Sequence, residues 1–63
     1  MEDVDRIDKI RKQLSSILLE LMEIHAFSSN KLNDMQLEYL DKIMVMIQEV
    51  LYKLSVLRAS IGD

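Results

Sequence analysis

Phe27-Ser28-Ser29-Asn30-Lys31-Leu32-Asn33-Asp34 is the stretch whose reading decides the fold. On either side of it, aliphatic residues recur at alternating intervals of three and four. Before it stand Ile7, Ile10, Leu14, Ile17, Leu21 and Ile24. After it stand Leu37, Leu40, Met44, Ile47, Leu51, Leu54 and Ile61, with Arg58 the one polar member of the series. Such spacing keeps a stripe on one side of an α-helix. The stretch between has no stripe, and its Ser, Asn and Asp side chains bond nearby backbone and compete with helix. The chain therefore reads as all-α: two long helices joined by one short turn and folded back as an antiparallel hairpin. The expected bounds are about 3–25 for helix one, 26–33 for the turn and 34–60 for helix two, in a single unit spanning 1–63.

Local signals agree with this division. Asp3, Asp5 and Asp8 sit where carboxylates favour the dipole of a helix start. Glu2–Arg6, Asp5–Lys9, Asp8–Lys12, Glu38–Lys42 and Glu49–Lys53 are spaced i,i+4 with the acid first, which marks solvated helix faces. Asn33 followed by Gln36 has the form of a capping box, with Asn in place of Ser or Thr. Gly62 is a stop signal after helix two. Phe27 and Leu32 are expected to close the hairpin end of the core.

The two stripes differ in width. Leu18 widens the first, and Leu19 and Met22 lie further round. Along the second, Ile43, Val50 and Leu57 add a whole flank, and Val45, Met46 and Val56 lie outside it again. One neighbouring helix covers one stripe, so helix one needs one neighbour and helix two needs more. The chain has 63 residues and no cysteine. So small a core needs a staple, and a disulfide is ruled out. The remaining staple is association. The expectation is a homodimer packed as a four-helix bundle, with Leu37, Glu38, Leu40, Ile43, Met44, Val50 and Leu57 binding the partner. The rival to the homodimer is a hairpin docked on a different protein, and the non-enzymatic readings of function are a homodimeric four-helix-bundle adaptor or a small chaperone whose hairpin covers a hydrophobic partner helix.

Several classes drop out. A net charge of -3 gives no general attraction for nucleic acid or anionic membrane. Arg6, Lys9, Arg11 and Lys12 alternate with Glu2, Asp3, Asp5 and Asp8, so their field is nearly cancelled. No run approaches the ~20 apolar residues of a membrane span. The acidic start lacks the basic opening of a signal peptide. No nucleic-acid or membrane partner is expected, and the location is expected to be cytoplasmic. His25 is the only histidine and has no companions at metal-ligand spacing. Neither metal nor cofactor is expected. Met22, Met35, Met44 and Met46 read as core filling, and Arg58 as a side chain whose stem packs while its head reaches water. There is no nucleophile–base pair and no phosphate loop, so any catalysis needs a partner's residues.

Three segments carry a family resemblance: Ile10-Arg11-Lys12-Gln13-Leu14, Glu23-Ile24-His25-Ala26-Phe27-Ser28-Ser29, and Leu40-Asp41-Lys42-Ile43-Met44 with Ile47-Gln48 after it. Over roughly residues 7–49 the chain resembles the small aspartyl-phosphate phosphatases of spore-forming bacilli, which act on the sporulation response regulator. These are two-helix hairpins with the signature Ser-Gln-Glu-Leu-Asp early in helix two. Leu40 and Asp41 match its last two positions, whereas Leu37, Glu38 and Tyr39 stand where the family has Ser, Gln and Glu. Ala26 replaces the usual turn glycine, and the turn is about one residue longer. The resemblance implies a response regulator as partner. It also implies a catalytic role for Asp41, whose carboxylate would orient water against the regulator's phosphoryl group.

Overall fold

The computed structural model describes residues 2–61. It contains two helices, α1 (Glu2–Ser28) and α2 (Asp34–Ile61), packed side by side as a hairpin 45 Å long and 15 by 11 Å across. The bounds differ from expectation mainly at the turn, which shrinks to residues 29–33 because Ala26, Phe27 and Ser28 remain helical. The Lys31 amide donates to the Ser28 carbonyl at 2.9 Å and satisfies one of the helix-end acceptors. Phe27 does not close the core. The extra turn of helix carries it outward, 80% exposed, and leaves Leu32 half-buried at that end. Gly62 lies outside the described residues.

The start of α2 follows its cap. Asn33 Oδ1 accepts from the Gln36 amide at 2.8 Å, and Gln36 Oε1 accepts from the Asn33 amide at 3.0 Å. Both bonds of the capping box are thus formed. The Leu37 amide donates to the Asn33 carbonyl at 3.0 Å, which makes Asn33 the last residue before the helix. Glu38–Lys42 and Glu49–Lys53 pair as spaced. Of the acids near the start of α1, Asp8 pairs instead with Arg11, one turn on, and with Arg58 across the hairpin.

The covered seam of α2 is the one expected: Leu37, Leu40, Met44, Ile47, Leu51, Leu54, Arg58 and Ile61 are all buried or half-buried. The seam of α1 is a correction. It runs Val4, Ile7, Arg11, Leu14, Leu18, Leu21, His25 and Ser28. Ile7, Leu14 and Leu21 belong to both versions. Ile10, Ile17 and Ile24 do not, and each is exposed. Two rows on α1 compete for the same seam, and both complete a three–four alternation. Turning the Arg11–His25 row inward lets Arg11, Asp8 and Arg58 meet at one end and His25 meet Asp41 at the other. The aliphatic stem of Arg11 and the ring of His25 can cover apolar surface while their polar ends stay at the edge.

Two of these pairs also define the register. His25–Asp41 and Asp8–Arg58 are each separated by seventeen residues on both helices, in opposite chain directions. Only antiparallel helices in constant step satisfy both. Among the described residues only Val4 (4% exposed) and Leu40 (8%) are buried. Leu40→Ala should lower stability by roughly 2–5 kcal/mol, and Asn33→Ala by about 1 kcal/mol through the lost cap. Leu19→Ala, on the exposed side, should stay within about 0.5 kcal/mol. Thermal unfolding followed by circular dichroism reads all three.

Candidate functional site

The register sorts the remaining side chains onto two faces. Ile10, Ile17 and Ile24 each precede a seam residue of α1 by one position. Ile43, Val50 and Leu57 do the same on α2. In an antiparallel pair these two rows fall on the same side. Ile10 then stands abreast of Leu57, Ile17 of Val50 and Ile24 of Ile43. All six are between 43% and 47% exposed. Their even exposure marks a continuous strip, one apolar pair per two helical turns, rather than scattered surface residues. At the turn end the strip is extended by the exposed Phe27 and Tyr39.

Helix one thus leaves as long an uncovered row as helix two. The expectation that it needs a single neighbour is corrected, because its seam faces α2 with the more polar of its two rows. A helix that turns Arg11 and His25 inward and three isoleucines outward is inconsistent with a finished core.

The other face is mostly polar. Asp8, Ser15, Asp41, Gln48 and Ser55 each follow a seam residue, with Met22 the apolar exception. At the open end an elongated groove lies between the helices, lined by Asp8, Arg11, Lys12, Ser15, Ser16, Tyr52, Ser55, Arg58 and the edge of Leu51. Asp8 Oδ1 accepts from Arg11 Nη1 at 3.3 Å and from Arg58 Nε at 3.4 Å. Arg58 therefore does more than reach water: it ties α2 to α1. Ser55 Oγ donates to the Leu51 carbonyl at 3.1 Å.

At the turn end of the same face, His25 Nε2 and Asp41 Oδ1 are 3.1 Å apart, and the Asp41 side chain is 61% exposed. Beside it is a shallow, largely apolar depression formed by Glu38, Asp41, Lys42, Val45 and Met46. Of the residues expected to bind a partner, Leu37, Leu40 and Met44 lie in the seam, where α1 covers them. Glu38 is exposed next to Asp41, and Ile43, Val50 and Leu57 form half of the apolar strip. The structure therefore does not gather these residues into one patch.

The partner of Asp41 was missed at the level of sequence, although a signal existed. Positions 8 and 25 on one helix match 58 and 41 on the other, each offering a group of opposite or complementary charge. Among the described residues no cluster of His, Cys, Asp and Glu could hold a metal ion, and no helix is long and apolar enough to cross a membrane. No family model matches the chain, and neither does a curated protein or a solved structure.

The His25–Asp41 pair is exposed, so its net weight is small, about 0–1 kcal/mol. Asp41→Ala should keep full helicity and change stability by less than about 1 kcal/mol, as measured by urea denaturation. A collapse of the hairpin in this variant would instead give Asp41 a structural role.

Proposed function

We propose that the protein is a small regulatory interaction hairpin that works as a homodimer, two copies laying their apolar strips together in a four-helix bundle. The observation that carries this reading is the strip itself, a two-sided row of six evenly half-exposed aliphatic residues. Phe27 and Tyr39 lengthen it at the turn end, so it runs along most of the hairpin. Burial of apolar surface, at ~25 cal/mol per Å², is the drive that would have to outweigh the entropy of binding. A second copy is the natural occupant because the strip is equally wide on both helices and carries no buried charge needing a complementary partner. Light scattering should give twice the chain mass at micromolar concentration. Ile17→Glu combined with Val50→Glu should return a monomer, with Leu19→Glu, off the strip, as the control that stays dimeric. A wild-type monomer that melts without concentration dependence would overturn the reading.

One observation favours a second, catalytic reading on the opposite face. Asp41 presents an exposed carboxylate held by His25 beside an apolar depression, and dimerisation through the strip leaves it open. As in the phosphatases the chain resembles, Asp41 would position water for in-line attack on an aspartyl phosphate of a response regulator. Such chemistry asks for placement and electrostatics more than for a built pocket. His25 would hold the carboxylate in place. The assay is loss of phosphate from an aspartyl-phosphorylated response regulator, which Asp41→Ala should abolish while the variant stays folded and dimeric. Unchanged turnover in Asp41→Ala removes the assignment.

A further inference from the structure

We propose that Phe27 and Tyr39 form an aromatic clasp at the turn end, which seats a second copy of the chain with its turn beside that of the first. The clasp rests on the homodimer reading and adds to it a direction, which the apolar strip alone does not carry. Its occupant is the same clasp on the other copy.

The two rings stand at matching places. Phe27 precedes the seam residue Ser28 by one position, and Tyr39 precedes Leu40 by one. Relative to the His25–Asp41 pair, Phe27 is two residues further along α1 and Tyr39 two residues back along α2. Because the helices run antiparallel, those steps lead to the same height. Each ring also lies just outward of its strip neighbour, Ile24 on α1 and Ile43 on α2, so the pair flanks the strip on both sides. Neither ring serves the hairpin that carries it. Phe27 is the most exposed large hydrophobic side chain among the described residues, at 80%, and Tyr39 is 58% exposed. The last turn of α1 carries Phe27 on helix rather than on loop, which fixes its direction.

Two copies meeting through their strips can be related in two ways. With the turns together, α1 of one copy faces α2 of the other, antiparallel and at the same heights as inside one hairpin. Phe27 of each copy then meets Tyr39 of the other, which makes two ring pairs, one on either flank. Each pair closes apolar surface that a single hairpin leaves in water, and the Tyr39 hydroxyl keeps its water at the rim. With the turns apart, α1 faces α1, and both rings go to the open end of the other copy. The exposed residues at the corresponding places of α1 there are Asp3 and Arg6, which precede the seam residues Val4 and Ile7. A solvated cation beside a ring closes less apolar surface than a second ring does. The six aliphatic residues of the strip are matched in either arrangement, so the rings decide. Turns together also set the Asp41 carboxylates of both copies at one end of the dimer, on opposite sides.

The test reads direction separately from mass. The chain has no cysteine, so Asn30→Cys in the turn takes one nitroxide label per copy. Pulsed electron paramagnetic resonance gives the label-to-label distance, and light scattering gives the mass. The expected result is a dimer whose distance is set by the width of two stacked hairpins, each 15 by 11 Å across, rather than by their 45 Å length. Phe27→Ala, at a side chain too exposed to hold the fold, should raise the dimer dissociation constant about tenfold, the weight of an aromatic pair, and admit the long distance. Tyr39→Phe, which keeps the ring, should change neither. A dimer whose labels lie near 45 Å apart overturns the clasp and leaves the homodimer standing. So does a short distance that Phe27→Ala leaves unaltered along with the affinity. A monomer overturns the homodimer reading and the clasp with it.

Discussion

The rotation of α1 about its own axis is the constraint on which the rest of the hairpin depends. Two polar clips between the helices go with it, Asp8 with Arg58 at the open end and His25 with Asp41 near the turn. Neither clip is strong, because both are partly solvated and each is worth no more than about 1 kcal/mol. Their effect comes from placement. They lie on the same face, so together they act like two staples along one edge of a folded sheet of paper. The Val4–Ser28 row fills the seam beside them, and the other edge is left to Ile10, Ile17 and Ile24.

From that rotation follows a division of labour between the faces. The stapled face holds the Asp8–Arg58 and His25–Asp41 pairs, the groove at the open end and the exposed carboxylate of Asp41. The open face holds the apolar strip and nothing charged at its centre. A hairpin finished in itself would place its most apolar rows between the helices. This one places them beside the seam. Of the six aliphatic residues that read as the stripe of α1 in sequence, Ile7, Leu14 and Leu21 face α2, and Ile10, Ile17 and Ile24 flank the seam on the open side. Taken together the stripe spans the seam and the open face, as a helix in the proposed bundle would need.

This explains which parts of the structure were legible from sequence. The three–four alternation located both helices, and Asn33 with Gln36 located the start of the second. The seam of α2 was legible because its apolar rows adjoin, so any register within them selects Leu40, Met44 and Ile47. The seam of α1 was not, because the alternation is satisfied equally by two rows and apolarity favours the wrong one. Cross-helix pairing of Asp8 and His25 accompanies the row that fills the seam, and no single-helix periodicity contains that information. The end of α1 was misjudged for a simpler reason. Ser28 and Ser29 read as turn formers, yet Ala26, Phe27 and Ser28 still complete their helical turn. For the candidate site, the exposed row Ile43, Val50 and Leu57 was visible in sequence. Its companion on α1, and the histidine beside Asp41, required the fold.

The strip has a further property. Its three rungs are contributed equally by two antiparallel helices, so the pattern is nearly unchanged when the hairpin is turned end for end. A second hairpin meets the same relief whether the two turns lie together or at opposite ends. The middle rung, Ile17 with Val50, sits on the pivot of either arrangement. Choice of orientation then falls to the extremities. In the proposed dimer, turns together would bring the Phe27 and Tyr39 rings of both copies to one end, whereas turns apart would bring them to the open end of the other copy. In such a dimer the interior of the strip would supply adhesion, and a few residues at its ends would act as the pointer that gives the assembly a direction.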